Sequence, residues 1–518
     1  MTLTHQRLRA PQENGKSLQV PPLADWQETL LHNQALLGGY AFELSGNPIS
    51  SLQREAQQEL LQLAVAYSSQ YRDISLKSSI DTIVMGGHQP TLFHPGVWYK
   101  NFVLSHFALQ ANAVAVNLVV DNDFNPLRSI RVPTGSVAEP RIETIHYDSL
   151  SARGPFETEE LHSPDTFKNF AQSVSRNIKP FVSEPLVHRL WPHAVASLGR
   201  MGQPSLALAA GRHRFEQDLG LQTLELPVSQ ICKTRAFAIF AAELFERSAE
   251  FRAVHNEQLV RYRQVNRIRS QSHPVPELRK LDDWVELPFW IWRTASTSRN
   301  PLFVKQEQDT IYVSDQKDVL LSLDRRASLA EQIHLWEVEG ICLRTRALTT
   351  TMYSRLVLCD LFLHGIGGGK YDQLTDEIIR KFFAVEPPGF SVVTSTHHLP
   401  IDFPRVTEGD LARVRNRLRD LKYHAEHFGD FGNESFQAEA ERKVEHWRAI
   451  PDAGSKKVWH DEMERINEQL RQATNSDRIE LETEIESLRR MVRVTQLLGS
   501  REFSFCLFDE ALIAQLNA

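Results

Sequence analysis

Asp81-Thr-Ile-Val-Met-Gly-Gly-His-Gln-Pro-Thr-Leu-Phe-His-Pro-Gly96 is the stretch whose reading decides the fold. A short β-branched run, 81–85, is halted by Gly86-Gly87. A loop rich in His and Pro follows. Residues 97–110 then predict a helix that buries Phe102, Leu104, Phe107 and Leu109. A second apolar run, 113–120, ends in Asp121-Asn-Asp-Phe124. Strand, glycine loop, helix and strand make one βαβ unit. Such units imply a parallel sheet with ligands at the carboxyl ends of the strands, where His88-Gln89 and Asp121/Asp123 fall. The expected fold class is therefore α/β.

Upstream, residues 51–71 predict a helix with Leu60, Leu61, Leu63, Ala64 and Val65 on its apolar face and Ser51 as N-cap. Residues 1–50 read as an irregular segment. Downstream, residues 125–230 read as mixed, with the run 205–210 and Gly211-Arg-His-Arg214 resembling a strand end. A helix is expected over 233–262. Residues 283–315 are strand-like and rich in tryptophan (Trp284, Trp290, Trp292), and residues 341–385 return to α/β character. The core is thus assigned to 51–404, with connecting segments inserted at about 140–340.

The last third differs. Leu411, Val414, Leu418 and Leu421 are spaced as a heptad seam, as are Met463, Ile466 and Leu470, and again Leu481, Ile485, Leu488 and Val492. Turn-rich stretches at 430–435 and 451–455 interrupt them. These seams predict an α-helical coiled-coil arm over 405–500 that makes a homodimer, followed by a C-terminal return segment, 501–518.

The 518 residues carry 58 basic and 65 acidic side chains, a net charge of −7, which argues against nucleic acid and anionic membrane as partners. No C-x-x-C pair occurs among the four cysteines, as expected of a reducing cytoplasm. The first 17 residues have no apolar core of a signal peptide.

Three clusters could carry chemistry. In the first, backbone amides after Gly86-Gly87 can approach a ligand, the following helix start favours an anion, and His88, Gln89, His94 and Gly96 complete the loop. In the second, Asp121 and Asp123 share one side of an extended chain around Asn122. Two carboxylates there suit an amine, a hydroxyl or a cation, or general-base work, although Asp and Asn also simply cap helices and turns. The third is His364-Gly-Ile-Gly-Gly-Gly-Lys-Tyr371. His364 and Tyr371 exclude a true phosphate loop. A glycine-rich anion-binding turn at Gly365, Gly367 and Gly368, with Lys370 as counter-charge, remains. Arg344, Arg346, Thr349, Thr350 and Thr351 add possible anion-binding groups upstream. The tryptophans read as packing residues rather than a sugar platform.

Together these clusters resemble the bacillithiol biosynthesis cysteine-adding enzyme (BshC) family. That family has T-G-Q-Q-A-G-L-F-T-G-P where this chain has Gly86-Gly-His-Gln-Pro-Thr-Leu-Phe-His-Pro-Gly96. Its E-D-H-D-F resembles Val120-Asp-Asn-Asp-Phe124, and its T-R-P-L and G-P-G-E elements resemble Thr349-Thr-Thr-Met352 and Gly365-Ile-Gly-Gly368. The departures are His88 for Gln, Pro90-Thr91 for Ala-Gly, Asn122 for His and Gly368 for Glu. The His-Gln-Pro start also resembles the WbqC-type proteins over the first βαβ unit alone.

The resemblance implies a Rossmann-like nucleotidyltransferase-type core with inserted connecting domains and a dimerising coiled coil. It implies a ligase that joins cysteine, or another amino acid, to an amino-sugar acceptor such as glucosaminyl-malate. Asp121 and Asp123 would bind the acceptor amine, one of them acting as base. His88, Gln89 and the Gly86–Gly87 amides would hold a carboxylate or its oxyanion. His94 and Lys370 would face phosphate if ATP or ADP takes part, and no metal site is expected. The rival readings are a non-catalytic small-molecule-binding or coiled-coil assembly protein, and a metal-dependent hydrolase built on His88, His94, Asp121 and Asp123.

Overall fold

The computed structural model describes residues 8–74, 82–124, 127–149, 154–268, 275–296, 298–429, 432–451 and 456–517. Asp81, residues 1–7, parts of both turn-rich stretches (430–431 and 452–455) and Ala518 lie outside the described residues. The chain divides into two units. One comprises Met1–Val132, Glu143–His398 and Arg501–Ala518; the other comprises Pro133–Ile142 and Leu399–Ser500.

The larger unit is α/β. Its principal elements in chain order are β1 (Ser17–Val20), α1 (Trp26–Gly38), α2 (Ile49–Ser68), β2 (Ile83–His88), α3 (Pro95–Gln110), β3 (Val114–Val119), α4 (Pro204–Asp218) and β4 (Leu224–Pro227). Then come β5 (Trp284–Arg293), β6 (Asn300–Glu307), β7 (Thr310–Ser314), β8 (Val319–Asp324), β9 (Ile341–Thr345), α5 (Ala347–Tyr353), β10 (Leu361–His364), α6 (Ile366–Phe382) and β11 (Phe390–Ser395). Six strands form the main sheet in the order β1-β11-β10-β2-β3-β4. Neighbours from β11 to β4 run parallel, and β1 is antiparallel to β11. The chain therefore steps outward from β2 through β3 to β4, then returns to the other side of β2 as β10 and β11. A second, antiparallel sheet has the order β8-β7-β6-β5-β9.

Every residue of β3 is buried, so its sequence is apolar rather than alternating, as a strand covered on both faces requires, except at Asn117, whose amide donates to Glu225 at 2.6 Å. Trp26, Leu30, Val84, Leu104, Phe107, Ala115, Leu361, Leu363 and Val393 form one core cluster around the sheet. Fully burying each of the larger ones contributes about 1.5–3 kcal/mol. Among the described residues, no helix is long and apolar enough to cross a membrane.

Four local expectations are corrected. The N-terminal segment is not irregular throughout: it supplies β1 as an edge strand and α1, whose Trp26 and Leu30 join the core. Helix α2 starts at Ile49 after Pro48, and Ser51 Oγ donates back to the Pro48 carbonyl instead of capping. Residues 205–210 are helical, part of α4. That helix is buried almost all round, which removes the amphipathic signal of a helix. Its Gly211 marks a helix contact: a Cβ there would lie 2.5 Å from the Ala194 backbone nitrogen. The single helix expected over 233–262 is two, Arg235–Glu246 and Ser248–Val265, broken at Arg247.

The smaller unit holds α7 (Glu408–Tyr423), α8 (Glu434–Arg448), α9 (Lys456–Ala473) and α10 (Asn475–Leu498). Thr407 and Asp410 close a capping box on α7, and Asn433 caps α8. Leu411, Val414 and Leu421 of α7 pack with Leu481, Ile485 and Val492 of α10, with Leu418 and Leu488 alongside. Ile466 and Leu470 of α9 pack with Ala425 and with Phe436 of α8. The heptad positions are thus buried against one another inside the chain.

Candidate active site

A cleft of about 750 Å³ opens at the carboxyl ends of β2, β10 and β11. That is the size of an ordinary small-molecule site. It spans the place where the strand order reverses, between β2 and β10, where open α/β sheets bind their ligands.

The β2–α3 loop builds one wall, through Gly87, His88, Gln89, His94 and Gly96. Helix α3 begins with Pro95 at its first position and is capped by His94, whose Nδ1 accepts the Gly96 amide at 3.1 Å. Gly96 has no alternative here. A Cβ would overlap the Ser395 carbonyl on β11 and stand 2.9 Å from the Arg501 guanidinium. His88 Nδ1 lies 3.1 Å from the Gln89 carbonyl. A carbonyl only accepts, so the ring proton sits on Nδ1 and Nε2 keeps its lone pair. Burial, followed by the charge of Lys100, pushes His88 down to about 3, so it is a neutral imidazole at pH 7. Lys100, one turn into α3, donates its ammonium to the Gly87 carbonyl. Burial and then Arg212 push it down to about 7.

The acidic motif splits. Asn122 and Asp123 line the cleft. Asp123 accepts from Arg299 at 2.9 Å and from Gln89 Nε2 at 3.1 Å, while Asn122 Nδ2 donates to the Thr345 carbonyl at 2.7 Å. Asp121 is fully buried and off the cleft, accepting the Ser229 amide at 2.9 Å and its hydroxyl at 2.5 Å. Burial, then Glu157, pushes Asp121 up to about 7 despite those two donors. Of the two carboxylates expected to meet an acceptor amine, only Asp123 lines the cleft.

The glycine cluster is a helix start rather than a free turn. Gly365 is the N-cap of α6, and Gly365, Gly367 and Gly368 line the cleft with the first-turn amides. Lys370 is exposed and does not line it, so it is no counter-charge for a ligand there. Thr349 is buried and spends its hydroxyl on the Pro288 carbonyl at 3.0 Å. Gly86 sits within β2, in register with Leu363 and Asn117, so its backbone belongs to the sheet and not to a ligand. Arg344 is consumed by Glu157 and Glu337, at 2.8 and 2.9 Å.

No family model matches this chain, and no curated protein matches its sequence. Function must be read from the cleft itself.

Four cationic side chains line it, Lys100, Arg299, Arg346 and Arg501, against one carboxylate, Asp123. Arg346 and Arg299 lie over the Trp290 ring, 4.3 and 4.5 Å from its centroid. Arg346 also pairs with Glu286 at 2.7 Å, yet burial, with Arg279 and Arg299 nearby, holds its pKa below the usual arginine value. Arg501 is lowered too, by burial. His255 joins the lining, and burial brings it down to about 4. Among the described residues, no group of three or more His, Cys, Asp or Glu is placed to hold a metal ion. Of the four residues suggested for a hydrolytic metal, Asp121 is spent on Ser229 and His94 on capping α3.

Sequence reasoning missed Lys100, Trp290, Arg299 and Arg501, and treated Trp290 as packing. The alternation in β5 put Trp290 and Trp292 on one face. The register shift in β5 falls before Trp290, so the pairing runs regularly through both tryptophans and leaves them on one face. Trp292 is buried, whereas Trp290 reaches the cleft.

Proposed function

We propose that this chain is an enzyme that binds an anionic small molecule in this cleft and condenses an amine with an activated carboxyl group, as a divergent relative of the BshC-type cysteine-adding ligases. One observation carries the reading. Three motifs far apart in sequence (within 87–96, 122–123 and 365–368) line one cation-rich cleft at the strand-order reversal. Counting only the parallel strands in chain order, the sheet reads 3-2-1-4-5, which supports a Rossmann-like core. Arg346, paired with Glu286, and Arg501, paired with Glu502, both line the cleft, where their guanidinium groups suit a carboxylate or phosphate. The first turn of α6 adds amide donors to the same anion, whereas the first amides of α3 are taken by His94 and that helix start offers only its dipole. Asp123, braced by Arg299 and Gln89, is the carboxylate left to receive an amine. Neutral His88 offers Nε2 to the ligand.

The acceptor is an amino-sugar acid of the glucosaminyl-malate kind, the donor is cysteine or another amino acid, and a nucleotide is the candidate activator. The four cysteines are unpaired and buried, which supports a cytoplasmic setting. The heptad seams are used within the chain, so the dimer proposed through the coiled-coil-like helices would use other faces. Trp447 and Val458, 67% and 69% exposed, are available there.

The test is a thermal-shift panel on the full chain with ADP, ATP, citrate, cysteine and glucosaminyl-malate, followed by mass spectrometry of complete mixtures. A ligand that binds only the folded state raises the melting temperature with its saturation. We expect an anion-dependent shift, its loss in Arg346→Ala, and a condensation product containing cysteine. No shift with any anion would overturn the cleft as the site. A shift without a product in any mixture would favour the non-catalytic binding protein.

A further inference from the structure

His364 closes β10 at the edge of the cleft, and no role has been given to it so far. Its Nε2 stands 2.9 Å from Asp372 Oδ2. A carboxylate only accepts, so a proton lies on Nε2, and in the neutral ring Nδ1 carries the lone pair. Asp372 is held on every side: Arg355 donates to Oδ2 at 2.6 Å and Thr351 to Oδ1 at 2.6 Å. Burial opposes its charge, but Arg355, His364 and Thr351 more than offset this and keep Asp372 well below the usual carboxylate range. The imidazole is flanked by Phe362 and Phe390, with centroids 4.6 and 5.2 Å away. Gly368 leaves room at Nδ1: a Cβ there would lie 2.6 Å from it, and the ring, though largely buried, is part of the cleft lining. Gly368 is also where the BshC pattern has Glu.

We propose that His364 is the catalytic base of this cleft, with Asp372 as its positioning residue and Gly368 as the opening through which Nδ1 reaches the substrate. The inference deepens the condensation reading above and rests on it for the identity of the substrate, an amine carrying a carboxylate or phosphate. As the amine nitrogen bonds to the acyl carbon of an acyl phosphate or acyl adenylate, its proton passes to Nδ1. The carbon–oxygen bond to the phosphate breaks, and the electron pair leaves with the phosphate. The carboxylate of Asp372 stabilises the imidazolium that forms, without taking the proton itself.

Two arms on the full-length protein test this. Diethyl pyrocarbonate acylates accessible unprotonated imidazole nitrogens, and peptide mass spectrometry reports which histidines react. His364 is expected to be labelled in the folded chain. Gly368→Ala is expected to abolish that labelling in a chain that still melts cooperatively, its melting temperature lowered by the crowding at His364 and partly restored by the better helix propensity of alanine. In the condensation assay, His364→Gln and Gly368→Ala should each lower kcat about 10²-fold or more. Asp372→Asn should lower kcat and leave KM for the amine within a few-fold. An unlabelled His364 in the folded wild-type chain, or wild-type turnover in His364→Gln, overturns the proposal. Labelling that Gly368→Ala blocks, with no condensation product at all, counts against the ligase reading and leaves the open imidazole supported.

Discussion

The carboxyl edge of the parallel sheet and the four-helix unit are held together by opposite kinds of information. In the helical unit, spacing is enough. Leu411, Val414, Leu421, Leu481, Ile485 and Val492 make a core because they recur on one helix face, and aliphatic side chains of similar volume could exchange there. At the sheet edge, identity and backbone are decisive. Gly96 admits no side chain, His94 must cap, and Asp121 and Asp123, two residues apart, have unrelated partners. The difference teaches that regular patterns report packing, whereas the cleft is made where patterns stop.

Breaking the helical side should produce the largest effect on stability. Ile485→Ala should cost about 2–5 kcal/mol in urea denaturation, and Ile485→Leu less than about 1.5 kcal/mol. Both should leave ligand binding by the larger unit intact; a lost thermal shift would break the comparison. Gly96→Ala should cost about 1–3 kcal/mol by overpacking against Ser395 and also abolish the anion-dependent shift.

A subtler test separates the two aspartates by pH. Asp121 is raised from 3.8 to about 7 in the folded chain by burial, so between those values the folded state holds a proton that the unfolded state has released. Its contribution to stability is therefore present below pH 3.8 and is lost as pH rises through 7. Asp121→Asn should gain on wild type in melting temperature as pH rises from about 5 to 8 and keep its ligand shift. Asp123→Asn should instead lose the shift given by the amine-bearing ligands, cysteine and glucosaminyl-malate, and keep the one given by citrate. The smallest effect belongs to Lys370→Ala: within about 0.5 kcal/mol in stability and with no change in the shift, since the side chain is exposed and off the cleft.

Much of this architecture was legible in the residues. The β2–α3–β3 unit announced itself through an apolar run, a double glycine and a second apolar run, and α7 and α10 through their seams. The places of His88, Gln89, Asn122, Asp123 and the glycine cluster at strand ends follow from the same unit logic. Helix α4 was not legible, because burial on all sides erases helical periodicity. Edge strand β1 was not, because four residues carry too little pattern. Lys100 and Arg501 were hidden for another reason: one lies inside an apolar helix and the other at the start of the return segment, and neither has a motif around it.

The sequence by itself determined that a βαβ unit heads a parallel sheet, that its loop is built of glycine, proline and histidine, and that the last third is amphipathic helix. Those are local properties, governed by period, propensity and the steric limits of glycine and proline. Only the tertiary structure decided which polar residues share a cleft. It turned Asp121 inward onto Ser229, left Lys370 outside, and brought Trp290, Arg299, Arg346 and Arg501 from four separate stretches to face the loop of β2. Such long-range choices depend on strand order and on which charges can find buried partners, and neither is written in any short window of the chain.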